Sequence, residues 1–254
     1  MADRLLVDMG NTRLKWVLAR RDKIIEDTLG RGDQDTFLEA LLAQPDRPGR
    51  LLLSSVADDD RTAEFVHDCE ARLDMAVVRL RSQARFAGIE SGYRDPTALG
   101  IDRWLAVVGA AHFHGLPVVV MDLGTATTLD AVDERGKHLG GLILPGPALM
   151  LESLGKATAM KVPEGFKNAA DISSAAGVPG VPPAVTTESA IQEGVFAAQI
   201  GALNQFMRNV SHQFDTEPKL VITGGAAKGI LRRLEVAPVF DPWLVFRGML
   251  HHQE

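Results

Sequence analysis

VVVMDLGTATTLDAV, residues 118–132, is the stretch on which the reading of this chain turns. Val118 to Met121 form a short apolar, β-branched run of the kind that makes a buried strand. The run ends in Asp122-Leu-Gly-Thr-Ala-Thr-Thr, and alternating apolar residues resume at Leu129, Ala131 and Val132. This pattern predicts a hairpin with an acid, a glycine and three hydroxyls at its bend. Glycine lets a backbone come close to a ligand, and threonine hydroxyls with free N–H groups can hold phosphate oxygens. Asp122 would repel phosphate unless a cation stood between them. The same arrangement occurs near the N-terminus in RLLVDMGNTRLKWVLA, with Asp8, Gly10, Asn11 and Thr12. Two strand–D-x-G–polar–strand units about half a chain apart predict two similar half-domains facing one phosphate chain.

The 254 residues are enough for one large domain or two ordinary lobes. A hydrophobic content of 46% and a charged content of 24% are those of a soluble globular protein. A formal charge of -6 argues against a general binder of nucleic acid or anionic membranes, although a local basic pocket remains compatible with it. The single cysteine, Cys69, excludes an internal disulfide and suggests a reducing compartment. It sits in the helical run TAEFVHDCEARL, where packing is its expected role. No basic segment precedes a long apolar stretch at the N-terminus, and no run approaches the roughly 20 apolar residues of a membrane helix. The expected location is the cytoplasm.

In chain order, residues 4–30 read as a β-meander: two strands around the first D-x-G turn, then a third in IIEDTLG. A helix follows from Asp35 to Leu42, capped by Asp33 or Asp35. After the turn cluster AQPDRPGR come a buried strand in LLLSSVA, a helix from Asp58 to Leu73 and a strand in MAVVRLR, a parallel arrangement joined by crossovers. Phe86 to Leu99 read as an irregular loop into an apolar helix, GIDRWLAVVGAAHFH. Beyond the central hairpin lie a strand around Lys137 to Ile143 and a helix from Pro147 to Leu154 with proline in its first turn. Gly155 to Val185 are rich in glycine, proline and small residues and read as a long loop or flap. TTESAIQEGVFAAQIGALNQFMRNV is an amphipathic helix capped by Thr186 or Thr187. KLVITGG is a buried strand followed by a helix from Ala226 to Leu234, and Trp243, Phe246 and Met249 of the tail belong to a core or a partner interface.

Several positions could carry chemistry. Lys15 lies in the second strand and could reach phosphate, or simply be solvated. Thr223-Gly224-Gly225 leaves room for a flat or anionic ligand, yet is also a common way to turn from strand to helix. Gly140-Gly141 and Pro145-Gly146 share that ambiguity. Asp102-Arg103 differs in kind, because the start of a buried helix is an expensive place for two charges. An arginine fork suits a substrate carboxylate and a neighbouring aspartate can accept a hydroxyl proton. A structural ion pair, or a charge serving the helix terminus, would look the same in sequence.

Asp8-Met-Gly-Asn-Thr, Gly92-Tyr-Arg-Asp-Pro-Thr-Ala-Leu-Gly-Ile-Asp-Arg103, Asp122-Leu-Gly-Thr-Ala-Thr-Thr and Gly140-Gly-Leu-Ile-Leu-Pro-Gly146 together resemble type III pantothenate kinase. That family is related to Bvg accessory factor and belongs to the acetate kinase, sugar kinase, Hsp70 and actin superfamily. The resemblance implies an α/β fold of two ribonuclease-H-like, actin-like lobes, residues 1–114 and 115–254, with a cleft between them. It implies transfer of the γ-phosphoryl group of ATP to pantothenate, giving 4′-phosphopantothenate in the first step of coenzyme A biosynthesis. The first phosphate motif falls on Asp8, Met9, Gly10, Asn11, Thr12, Arg13, Leu14 and Lys15, with Asp8 near magnesium. Gly100, Ile101, Asp102 and Arg103 match the substrate element, Asp102 as the base and Arg103 on the carboxylate region. Tyr93 matches an aromatic bordering the substrate, Thr125 an ATP contact, and Asp122 the ligand of a monovalent cation, potassium or ammonium. Thr187 matches a pantothenate contact, while Thr186 stands where the family usually has asparagine. The family is typically a homodimer.

Two other readings fit the same residues: a different small-molecule kinase or phosphatase on this fold, and a nucleotide-binding regulator without catalysis. Asp8, Asp102, Arg103 and Asp122 speak against the regulator, since a binding module has no need of a base.

Overall fold

The computed structural model describes residues 3–11, 13–44, 48–157, 184–234 and 237–252. Contacts divide the chain into unit 1, Met1–Phe113 with Trp243–Glu254, and unit 2, His114–Pro242.

Unit 1 opens with β1 (Asp3–Met9) and β2 (Leu14–Arg20), antiparallel around the first D-x-G turn, with Asp8 opposite Lys15. The third strand expected in IIEDTLG is broken. Two short strands, β3 (Lys23–Ile24) and β4 (Gly30–Gly32), both pair with β2, separated by a 3-10 turn at Glu26–Thr28. Thr28 fills the gap: its Oγ1 accepts from the Leu18 N–H at 2.9 Å and donates to the Ile25 carbonyl at 2.6 Å, so a side chain replaces a ladder bond. Helix α1 (Gln34–Leu42) is capped by Asp33, whose Oδ1 accepts from the Thr36 N–H at 2.9 Å. Strand β5 (Arg50–Ser55) pairs parallel with β1, helix α2 (Asp59–Leu73) is capped by Asp58, and β6 (Ala76–Arg79) pairs parallel with β5. The resulting order is β3-β2-β1-β5-β6, with β4 also on β2.

Alternation along β1 assigns its residues to two faces. Leu5, Val7 and Met9 join Phe37 and Leu41 of α1 and Phe65 and Cys69 of α2 in one core, where Trp16 meets Phe37 edge-on at 5.2 Å. Each such side chain contributes about 1.5–3 kcal/mol on burial. Burial pushes the Cys69 thiol up to about 12, so this cysteine packs and does not react. Leu6 and Asp8 fall on the opposite face.

The stretch expected as an irregular loop holds a small hairpin, β7 (Arg85–Phe86) with β8 (Ile89–Glu90), which turns through Ala87 and Gly88 at φ 49° and 80°. Asp95 then caps a 3-10 turn at Pro96–Ala98, and α3 (Ile101–His114) follows. Helix α3 is buried almost all round from Ile101 to Ala111, as its apolar sequence requires.

Unit 2 repeats the plan of unit 1. Strands β9 (Val118–Leu123), β10 (Ala126–Val132) and β11 (His138–Pro145) form an antiparallel meander, and β12 (Lys219–Thr223) and β13 (Val239–Phe240) continue it in parallel. The order is β11-β10-β9-β12-β13. Both units therefore carry a three-strand meander whose first strand also pairs with a parallel strand. Helix α4 (Pro147–Ala157) starts at its proline, and α5 (Thr187–Val210) is capped by Thr186, whose Oγ1 accepts from the Ser189 N–H at 3.2 Å. Val119, Met121, Leu123 and Leu129 pack with Leu151 of α4 and Phe196 and Leu203 of α5. Helix α6 (Ala227–Leu231) stops short of the expected Leu234, because the Arg233 N–H turns back to the Ile230 carbonyl at 2.8 Å. Of the loop expected from Gly155 to Val185, Gly155 to Ala157 are the last residues of α4, and 158–183 lie outside the described residues. No helix among the described residues is long and apolar enough to cross a membrane.

The tail departs from the expected boundary. Trp243–Glu254, expected from sequence in the C-terminal lobe, belongs to unit 1 through α7 (Leu244–Met249). Leu244, Phe246 and Met249 are buried there, so they are core. Two glycines set the approach of α3 and α7: a Cβ on Gly109 would lie 2.2 Å from the Leu244 carbonyl oxygen, and one on Gly248 would lie 2.1 Å from that of Leu105. Gly248→Ala is thus expected to destabilise the protein by about 1–3 kcal/mol. Gly201→Ala, on α5 with open space around it, is expected to stabilise by about 0.5–1 kcal/mol. Urea midpoints check both, and an unchanged midpoint for Gly248→Ala would contradict this packing.

Candidate active site

The first half-site is the end of β1. Asp8 is the penultimate residue of the strand, half-buried, facing Lys15 on β2 and Ser54 on β5. Ser54 Oγ donates to Asp8 Oδ1 at 3.2 Å. Burial pushes the Asp8 carboxyl above the usual range, the Lys15 cation draws it back, and the charge of Asp102 raises it again. The turn beyond closes with the Gly10 N–H on the Arg13 carbonyl at 3.1 Å. Arg61 of α2 braces it from outside, donating from Nη1 to the Asn11 carbonyl at 2.6 Å. Met9 and Leu14 are fully buried in the core, so only their backbone can meet a ligand. Asn11, Arg13 and Lys15 are exposed, and Thr12 lies outside the described residues.

The start of α3 adds the second group of unit 1. Ser82 Oγ donates to the Leu99 carbonyl at 2.7 Å and fixes the approach to the helix. The Trp104 N–H then makes the first helical bond to the Gly100 carbonyl at 3.0 Å. Gly100 leaves the space that the next carboxylate uses: a Cβ there would lie 2.8 Å from Asp102 Oδ1. Asp102 Oδ1 accepts from the Arg103 N–H at 2.7 Å, drawing on one of the donors a helix start leaves open. Arg103 is 7% exposed and donates from Nη1 to the Tyr93 hydroxyl at 2.7 Å. Its guanidinium carbon also lies 5.6 Å from the Tyr93 ring centroid. Asp102, Arg103 and Tyr93 are thus one constellation, and Asp102 shares its neighbourhood with Asp8. Ile101 is buried beside them.

The half-site of unit 2 has the same plan with different packing. Asp122 is again the penultimate residue of the first strand, half-buried, opposite Thr128 on β10 and Thr223 on the parallel β12. In each unit, then, the acid faces a hydroxyl residue on the neighbouring parallel strand. The turn closes with the Gly124 N–H on the Ala126 carbonyl at 3.0 Å and leaves Thr125 exposed. Two glycines that were ambiguous in sequence pack against it. A Cβ on Gly146 would lie 2.3 Å from the Gly124 carbonyl oxygen, and one on Gly224, at φ 96°, would lie 2.5 Å from Asp122 Oδ1. The Gly146 N–H also donates to the Thr125 carbonyl at 2.9 Å. Behind Pro145, buried Gln199 of α5 donates from Nε2 to the Pro145 carbonyl at 2.9 Å. Thr187 is the exposed first residue of α5, and its neighbour Thr186 is the cap.

Asp8, Gly10, Asn11, Arg13, Lys15, Tyr93, Gly100, Asp102 and Arg103 accordingly belong to unit 1, and Asp122, Thr125 and Thr187 to unit 2. Sequence reading missed Ser54, Arg61, Ser82 and Gln199. The hydroxyl pair Ser54-Ser55 at the end of a strand otherwise rich in leucine was the one available signal. The other three are polar residues recognisable only by what they reach.

The raised pKa of Asp8 has a consequence for stability. A carboxyl whose folded pKa exceeds its unfolded value, about 3.9, favours the folded state at low pH and loses that contribution as pH rises through the folded pKa. At neutral pH the carboxyl of Asp8 therefore costs stability. Asp8→Asn, whose amide oxygen can still accept from Ser54, is expected to melt at a higher temperature than the unsubstituted protein at pH 7. The difference should vanish toward pH 3.5. A lower melting temperature at pH 7 would show that the carboxylate is already compensated by its protein surroundings.

The sequence profile of type III pantothenate kinase matches residues 4–209. A type III pantothenate kinase of Thiobacillus denitrificans is 35% identical over 253 residues, covering 97% of this chain and 94% of that one. Among solved structures, a Baf family protein of Campylobacter jejuni is 22% identical, with a TM-score of 0.59 over 96% of this chain and 94% of that one. MreB 5 of Spiroplasma citri, 12% identical, gives a TM-score of 0.52 over 98% of this chain and 95% of that one. These likenesses agree with the repeated strand order in assigning both units to the two-lobed actin-like fold. The chain belongs to the type III pantothenate kinase family.

Proposed function

We propose that this protein transfers the γ-phosphoryl group of ATP to the primary hydroxyl of pantothenate, giving 4′-phosphopantothenate and ADP in the first step of coenzyme A biosynthesis. The observation that carries the reading is the constellation of Asp102, Arg103 and Tyr93 beside Asp8, in a chain of this family. Phosphoryl transfer depends chiefly on positioning and charge neutralisation, so the protein must hold the two reactants and spread the charge. Asp102 takes the proton of the pantothenate hydroxyl as its oxygen bonds to the γ-phosphorus. The bond from that phosphorus to the bridging oxygen breaks, and ADP leaves. Arg103, held by Tyr93, receives the carboxylate region of the substrate, with Gly100, Ile101 and Thr187 as further contacts. The turn from Asp8 to Lys15 and the exposed Thr125 contact ATP.

The residues fit the cations that such chemistry needs. Burial and the charge of Asp102 both oppose ionisation of Asp8, and a cation would relieve that opposition. Among the described residues no group of three or more His, Cys, Asp or Glu forms a ready-made metal cage. Magnesium suits that situation, since it is usually held by one or two carboxylates together with phosphate oxygens and water. When bound it supplies charge neutralisation for the phosphates. Asp122, opposite Thr128 and Thr223, offers a carboxylate and neighbouring hydroxyls for potassium or ammonium. A homodimer is part of the same reading, and the exposed Leu142, Ile143 and Leu149 are consistent with it. So is a cytoplasmic location, where the lone buried cysteine would stay reduced.

Asp102→Asn should still bind ATP while its pantothenate-dependent ADP release falls by about 10²–10⁴-fold, the usual contribution of a general base. Wild-type turnover in that variant would remove Asp102 from the mechanism. In the unsubstituted protein, turnover should require magnesium and rise when sodium is replaced by potassium or ammonium. Asp122→Asn should abolish that rise, and a variant that kept it would exclude Asp122 as the cation ligand.

A further inference from the structure

Unit 1 holds a cavity of about 220 Å³ that meets the proposed substrate element only at Ile101. Asp8, Tyr93, Asp102 and Arg103 are all absent from its walls. Its apolar surface includes Leu80, Trp104 and Leu105, and its polar surface includes Arg79, Arg81 and His252, with no carboxylate. Arg79 is partly neutralised by Asp59 at 2.9 Å, whereas Arg81 is exposed and makes no hydrogen bond or ion pair among the described residues. His252 sits in the same positive surroundings: burial, then the charges of Arg50 and Arg4, lower its pKa. Small-molecule sites are typically concave, mostly apolar, and fixed by a few polar groups. An indole and two leucines give this one a place for a compact apolar body, and the guanidinium groups give it a place for a carboxylate, which arginine binds in two-pronged fashion.

We propose that this cavity binds a small organic anion, a carboxylate carried on an apolar body the size of one aromatic ring. Ile101, Trp104 and Leu105 all line it and share a face of α3, one turn of which also carries Asp102, so an occupant would rest on the helix that holds Asp102. Binding itself is the proposal, and its test does not depend on kinase activity.

Isotope-labelled full-length protein would be titrated with benzoate and followed by NMR at the Trp104 indole N–H, assigned through Trp104→Phe, and at the His252 ring. Benzyl alcohol, a neutral analogue, and inorganic phosphate, an anion without the apolar body, serve as comparisons. Saturable shifts are expected at both probes with benzoate, with each comparison ligand at least about tenfold weaker. Arg81→Ala, at an exposed position, should weaken benzoate at least about tenfold, the scale of a charge-assisted hydrogen bond, without moving the urea midpoint. The His252 pKa should rise when benzoate is bound. Absence of saturation, benzyl alcohol or phosphate binding as tightly as benzoate, or an Arg81→Ala variant with unchanged affinity would each overturn the proposal.

Discussion

A carboxylate one residue from the end of a central strand is an awkward thing to fold around. Burial raises the pKa of Asp8, and the nearby Asp102 raises it further, so the native structure holds two carboxyl groups where an apolar pair would be more comfortable. The surrounding residues temper that cost without removing it: Lys15 across the ladder, Ser54 on the next strand. Sites that keep such a charge are commonly functional, because a cation or a reacting proton completes them. Unit 2 keeps an acid at the same step of the same strand, with Thr223 in the place of Ser54. A purely structural turn would not be expected to preserve this arrangement twice.

Much of the rest of each unit can be understood as holding those strand ends in place. Backbone, more than side chain, shapes the turns, and neighbouring glycines make the close approach feasible. Gly146 lies against the Gly124 and Thr125 carbonyls, while Gly224 adopts a positive φ beside Asp122. Gln199 fixes the strand end that supplies Gly146, and Arg61 does comparable service for Gly10 and Asn11. Gly109 and Gly248 bring α7 against α3, which ties the chain's last helix to the helix carrying Asp102.

The repeated fold was legible because it rests on local pattern. Apolar alternation, D-x-G turns and aspartate caps are visible within a few residues, and the strands and helices largely follow them. What stayed hidden depends on distant partners. The break in the third strand depends on Thr28 reaching Leu18 and Ile25. The tail's membership of unit 1 depends on two glycines separated by more than half the chain. At the site, the motif residues were recognisable by family resemblance, whereas Ser54, Arg61, Ser82 and Gln199 were not, since a polar side chain gives no local sign of what it will hold. Asp102-Arg103 lay between these cases: spacing left an ion pair and a substrate contact equally open, and the Arg103–Tyr93 bond is what makes them one constellation.

In the proposed reaction these residues direct the γ-phosphoryl group to one alcohol. The most direct measurement is phosphorus NMR of a reaction containing the purified protein, ATP, pantothenate, magnesium and potassium. A phosphomonoester signal coupled to the methylene beside the primary hydroxyl, growing in step with ADP, is the predicted result. Inorganic phosphate appearing in its place, or ATP left intact by folded protein, would contradict the account.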